Sequence, residues 1–188
     1  MQQALINSTK DIFDSPEKWE TFLDLDLLKD KITAQWYSKL GDELHLKIKL
    51  NPEWSYNKSG MQWYLEKYGR KSLSIWLEKA KFSLWADGYY YDLDKIRELL
   101  KDSRFMPIYY GMPFKESIMQ GNYIIEELGR YTFGSHCDNC YTDDQLAWYA
   151  GNRTEEFAMQ VKQRVDHFMK KEITDLLIEL NEKSRKNI

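Results

Sequence analysis

Residues 71–87, KSLSIWLEKAKFSLWAD, decide what kind of fold this chain can have. Two readings compete. As a helix, the stretch puts Leu73, Trp76, Leu77, Ala80 and Leu84 on one face at three- and four-residue steps. As a hairpin reversing at Lys79-Ala80, it sets Leu77 opposite Phe82, Ile75 opposite Leu84 and Leu73 opposite Ala86. That register gathers the aliphatics on one face and leaves Trp76 and Trp85 on the other. Lys-Ala is a poor hairpin pair, yet Ser, Ile, Trp and Phe dominate, and the aromatic and β-branched members favour strands. The hairpin reading makes residues 61–91 the centre of a sheet. Its strands run from Met61 to Lys67, Lys71 to Glu78 and Lys81 to Asp87, with a turn at Tyr68-Gly69-Arg70-Lys71.

Upstream of this sheet the pattern is helical. Ser15-Pro16-Glu17 is a helix start, with Ser as the cap and Pro at the first helical position. Trp19, Phe22 and Leu23 give that short helix an apolar face. Asp26 caps a second helix in which Leu28, Ile32, Trp36 and Leu40 share a stripe, and Gly41 terminates it. The period then changes. Leu44, Leu46, Ile48 and Leu50 alternate with His45, Lys47 and Lys49, which predicts a half-buried strand with a basic outer face. Asn51-Pro52 ends it, and NPEWSYNKSG, residues 51–60, reads as a loop carrying Trp54 and Tyr56.

Downstream, Asp87-Gly88 is a turn and Asp92 caps a helix bearing Leu93, Ile96, Leu99 and Leu100. Phe105 to Tyr110 is expected as an edge strand because Pro107 lies inside it. Residues 111–120 read as loop, and Tyr123 to Phe133 as a further strand or hairpin interrupted at Gly129. A polar connection over 134–145 and a short helix near Leu146–Ala150 lead into residues 152–183, which predict one long amphipathic helix. Its stripe is Phe157, Val161, Val165, Phe168, Met169, Ile173, Leu176 and Leu180. Asn152 and Glu155 resemble a capping box. His167 lies away from the stripe and is expected to face solvent.

Together these elements give an α+β class: a mainly antiparallel sheet of four to six strands, with N-terminal helices and a long C-terminal amphipathic helix packed on one face. A chain of 188 residues is expected as a single domain over 1–188, with the helical segment 152–183 as its longest element. The composition, 43% hydrophobic and 30% charged, supports a buried core. No apolar run reaches the length of a membrane span. The N-terminus lacks the regions of a signal peptide, so a cytoplasmic location is expected. A net charge of −3 gives no electrostatic footprint for nucleic acid.

The chemistry-bearing motifs are few. His136, Cys137 and Cys140 form the most suggestive cluster, since a CxxC on a loop presents two thiolates at zinc-binding spacing. A structural zinc needs four ligands, and the other histidines are His45 and His167. The pair does not follow a strand and open a helix, as a redox CxxC would. Nucleotide-binding glycine loops and the serine-hydrolase elbow are absent. No cofactor is therefore expected, with zinc on the cysteines as the alternative.

What stands out is 7 Trp and 13 Tyr. Both bring apolar area with a polar tip, which suits interfaces as well as sheet cores. The preferred reading is a non-enzymatic protein-binding or regulatory module, with the small inhibitor or immunity protein as one such class. Trp54, Tyr56, Trp76 and Trp85 are its candidate contacts. Its expected partner is another protein, with neither nucleic acid nor membrane, and a homodimer through the C-terminal helix is the second arrangement. The runner-up function is an enzyme or metal-binding protein using His136, Cys137 and Cys140.

Overall fold

The computed structural model describes residues 12–78, 81–109, 123–125, 133 and 141–187. The chain divides into two compact units, residues 1–35 and residues 36–188. Helix α1, Pro16–Lys47, enters both.

In the first unit, Ser15 caps α1. Its hydroxyl accepts from the Lys18 amide at 3.3 Å and its carbonyl from the Trp19 amide at 3.2 Å. Phe13 folds back over the first turn, 5.3 Å from the Trp19 ring and 4.9 Å from Phe22. An apolar residue before the cap packing on the fourth helical residue fixes the approach of the chain to the helix.

The second unit holds the sheet. Strands β1 (Trp54–Asn57), β2 (Gln62–Leu65), β3 (Ser74–Glu78), β4 (Lys81–Trp85) and β5 (Tyr123–Ile125) follow one another in spatial order, each antiparallel to the next. The α+β class and its antiparallel sheet are thus as the sequence indicates. The hairpin at 71–87 has the expected register, with Ile75 opposite Leu84 and Leu77 opposite Phe82. The reason is burial. On a helix, Ile75 and Phe82 would stand about 180–200° from Leu73. In the hairpin Leu73, Ile75, Leu77, Phe82, Leu84 and Ala86 all enter the core. Gly69 takes φ +75° in the turn between β2 and β3, a conformation glycine reaches without steric cost.

Several expectations change. Leu44–Leu50 is not a strand: α1 continues to Lys47, and Gly41 lies buried inside it. Leu40, Leu44 and Ile48, four residues apart, form one buried stripe, while Leu46 is exposed. A four-residue step and a two-residue step share these positions, and the helical stripe reaches the core. The two N-terminal helices are accordingly one. Residues 51–60 are not all loop, since β1 lies within them. Where an edge strand was expected over Phe105–Tyr110, Ser103–Ile108 forms a 3-10 turn in which Phe105 and Ile108 are buried, and Tyr110 lies outside the described residues.

The segment 152–183, expected as one long helix, is interrupted at Arg153 and again at Met169–Lys170. After α2 (Leu93–Leu100) come α3 (Asp143–Asn152), α4 (Thr154–Phe168) and α5 (Lys171–Ser184). Lys170 adopts extended ψ 139° between the last two. A continuous helix would place Ile173, Leu177 and Leu180 about 120° round from Val161, Val165 and Phe168. The break turns α5 so that both sets are buried. The cap also differs from expectation: Thr142 and Gln145 form a capping box on α3, whereas α4 begins at Arg153 without a side-chain cap. Asp92 caps α2 as expected, accepting from the Lys95 amide at 3.0 Å.

The helices pack on the aliphatic face of the sheet. Phe168 meets Phe82 at 6.1 Å between ring centroids. Trp54 donates to Thr174 of α5, and the Tyr56 hydroxyl lies 3.5 Å from the Gly41 carbonyl of α1. Asn181, buried in α5, accepts from the Leu73 amide at 3.1 Å and donates to the Leu177 carbonyl at 2.9 Å. The Lys39 ammonium donates to the Gly151 carbonyl at 2.8 Å, near the negative end of α3.

Candidate functional site

The four candidate aromatics separate into two pairs. Trp54 and Tyr56 share the sheet face of Trp63 and Leu65, because Trp54 pairs with Leu65 and Tyr56 with Trp63. Trp54 is 5% exposed and is part of the core. Tyr56 is half-buried, stacked 4.9 Å from Trp63 and 6.1 Å from the His45 ring. Burial, reinforced by the Asp42 carboxylate, pushes the Tyr56 phenol well above its ordinary range, so it stays neutral. Trp54 is therefore a packing residue and offers no surface to a partner.

Trp76 and Trp85 lie on the opposite sheet face, as their register predicts. Both are half-buried, and their rings meet edge to face at 5.1 Å. Small polar residues alternate with the aromatics here: Ser83 lies opposite Trp76, and Ser74 opposite Trp85. Gln62 donates to the Arg70 carbonyl at 2.7 Å and to the Ser74 hydroxyl at 2.8 Å. These short side chains leave room for the indoles to lie across the strands. Gln62 and Ser74 are thus hydrogen-bonded to each other on this face, whereas the Ser83 hydroxyl is buried without a hydrogen-bond partner among the described residues.

His136, Cys137 and Cys140 lie outside the described residues. Among the described residues no group of three or more His, Cys, Asp and Glu side chains could hold a metal ion. His167 is half-buried rather than solvent-facing: its Nε2 lies 3.0 Å from the Pro107 carbonyl. A carbonyl only accepts, so Nε2 carries the proton. His167 also borders an open cleft of about 500 Å³ with Met106, Pro107, Lys170, Glu172 and Ile173. A cation and a carboxylate at its rim offset each other, and the imidazole already spends Nε2 on Pro107.

A feature that sequence reasoning assigned to packing carries more weight. Ile12, Trp19, Phe22, Leu23, Leu25, Leu27 and Leu28 are each at least 42% exposed, and Leu27 reaches 80%. They fall within 17 consecutive positions of the first unit. Trp19, Leu23 and Leu27 step by four along one side of α1. Leu25 and Leu28 lie on another. Residues 12–35 also carry six carboxylates (Asp14, Glu17, Glu20, Asp24, Asp26, Asp30) against three lysines (Lys18, Lys29, Lys31). The signal for this site was present in the sequence. Apolar residues spread around a helix beyond one stripe mark a helix that is covered on more than one side.

Among the described residues no helix is long and apolar enough to cross a membrane. No protein-family model matches the chain, no curated protein matches it, and no solved structure matches its fold.

Proposed function

We propose that this chain is a non-enzymatic protein-binding module whose contact surface is the exposed apolar segment of α1 between Trp19 and Leu28. The carrying observation is the exposure of six large apolar side chains within the ten residues from Trp19 to Leu28. Soluble monomers rarely expose contiguous apolar patches, and larger ones mark interaction sites. A helix presenting anchors at three- and four-residue steps docks into an apolar groove on its partner. The acidic excess around the anchors suits a protein groove rimmed by lysine or arginine and disfavours an anionic lipid surface. An inhibitor or immunity protein is one form such a module takes.

The test compares the full chain with its Trp19→Ala and Leu23→Ser/Leu27→Ser variants. Each is used as bait in the native cell, with quantitative mass spectrometry of what co-purifies. Because the substituted side chains are exposed, the variants are expected to keep the wild-type helical circular dichroism and melting temperature. A partner retained by wild type is expected to be lost, by tenfold or more, from both variants; truncating one anchor costs about 2 kcal/mol. Equal recovery of every partner by wild type and variants, at unchanged stability, would remove this surface from the reading.

A further inference from the structure

We infer that the cleft beside His167 is a binding site for a free α-amino acid with a large apolar side chain. The site shares no residue with the α1 surface, and the inference does not rest on that reading. The cleft offers about 500 Å³ between the 3-10 turn at Ser103–Ile108 and the junction of α4 with α5. That volume lies within the range of small-molecule sites. Met106, Pro107 and Ile173 give it an apolar wall, and His167, Lys170 and Glu172 give it polar groups. Opposite charges thus border one cleft, yet they do not meet. Neighbouring charges are paired: Lys171 with Asp175, Lys162 with Asp166, and Glu179 with Arg104 and Lys183. Among the described residues, Lys170 and Glu172 form no ion pair or side-chain hydrogen bond, with each other or with any other group.

The two charges decide the class of ligand. A simple anion gains from Lys170 and is repelled by Glu172, and a simple cation meets the reverse. A neutral apolar ligand takes water from the ammonium and the carboxylate and returns nothing. A zwitterion uses both. Its carboxylate accepts from Lys170, and its ammonium donates to Glu172. Lys170 also stands at the head of α5, whose first turn has no side-chain cap, and a carboxylate is favoured at that positive end. His167 adds an acceptor. With Nε2 donating to the Pro107 carbonyl, the neutral ring keeps its Nδ1 lone pair as an acceptor for the ammonium. In an α-amino acid one carbon carries the carboxylate, the ammonium and the side chain. These three arms match the cation, the two acceptors and the apolar wall. Met106 makes an aromatic side chain a good occupant of that wall, because a thioether sulfur is attracted to a ring.

The experiment is a proton–nitrogen NMR titration of the uniformly nitrogen-labelled full chain with L-phenylalanine. Three analogues each lack one arm: 2-phenylethylamine the carboxylate, 3-phenylpropanoate the ammonium, and glycine the side chain. Phenylalanine is expected to shift the amides of Met106, His167 and Ile173 with a dissociation constant of about 0.1–1 mM. Each analogue is expected to bind about tenfold more weakly or worse. Lys170→Met and Glu172→Gln change exposed side chains, so both are expected to keep the wild-type spectrum away from the cleft. Lys170→Met should erase the preference for phenylalanine over 2-phenylethylamine, and Glu172→Gln the preference over 3-phenylpropanoate. No shift at those amides at about 20 mM phenylalanine overturns the inference. An analogue lacking either charge that binds as well as phenylalanine overturns the zwitterionic ligand. Wild-type affinity and selectivity in both variants place the ligand elsewhere and overturn the site.

Discussion

The indole of Trp54 donates from Nε1 to the Thr174 hydroxyl at 3.2 Å, and this one contact ties the sheet edge to α5. Thr174 in turn donates to the Phe168 carbonyl at 3.0 Å, across the break between α4 and α5. The hydroxyl thus serves a carbonyl freed by the break and a tryptophan N–H that would otherwise be buried alone. Thr174→Val keeps the shape and removes both bonds. It is expected to cost about 2–4 kcal/mol, the sum of two buried polar groups left unpaired. Urea titration of the variant measures it. A loss below about 0.5 kcal/mol, the floor for one hydrogen bond, would mean that neither group depends on Thr174.

The segment Leu44–Leu50 shows where the sequence was ambiguous and why. Alternation of apolar and polar residues is compatible with a strand. The same residues also include Leu44 and Ile48 in step with Leu40. Only the neighbours decide, and Leu40, Leu44 and Ile48 meet the core while Leu46 is 75% exposed. Leu46→Glu is therefore expected to change stability by less than about 0.5 kcal/mol, whereas Leu44→Glu buries an unpaired charge and costs several kcal/mol. A strand would make the two substitutions equally damaging, since both leucines would share one face. Thermal or urea melts of the pair separate the cases.

The hairpin at 71–87 was legible because only one of its two readings buries Ile75 and Phe82 on the same side as Leu73. The break at Met169–Lys170 was not, because nothing in Phe-Met-Lys stops a helix. It follows from the drift of the apolar stripe between Val165 and Ile173, which a single list of apolar positions conceals. Trp76 and Trp85 were placed on the correct sheet face by register alone. Trp54 was misplaced because residues 51–60 resemble a loop, although Trp54 and Leu65 pair across β1 and β2. The exposed side chains of α1 were visible as residues, but a helix face reads the same whether or not anything covers it.

Gly151 illustrates a constraint that no propensity would reveal. A Cβ at this position would lie 2.3 Å from the Trp36 ring. The ring is rigid and cannot yield as a flexible chain end would. Gly151→Ala is expected to destabilise the second unit by about 1–3 kcal/mol through overpacking, despite the better helix propensity of alanine. Combining it with Trp36→Leu should recover part of that loss relative to the sum of the single changes. Strict additivity in a double-mutant cycle would show that the contact is not the cause.

Tyr37 supplies a pH-dependent test of packing. Its hydroxyl is buried and has no hydrogen-bond partner among the described residues. Burial pushes its pKa up to about 12 from 10.0, and the carboxylates of Asp143 and Asp144 add to the shift. The folded state therefore holds the phenolic proton more tightly than the unfolded chain does. Stability from this group is fully present below about pH 10, where both states are protonated. It is lost as pH rises through the folded value, because the unfolded state releases its proton first. Tyr37→Phe removes the group from both states and relieves a donor that has no acceptor. At neutral pH the variant is expected to match or slightly exceed the wild type in urea midpoint. Between pH 10 and 11.5 the wild type should lose stability faster than Tyr37→Phe, and the difference between their midpoints should widen with pH. Parallel alkaline limbs for the two proteins would show that Tyr37 titrates as freely when folded as when unfolded, and that its hydroxyl is not shut away between α1 and the start of α3.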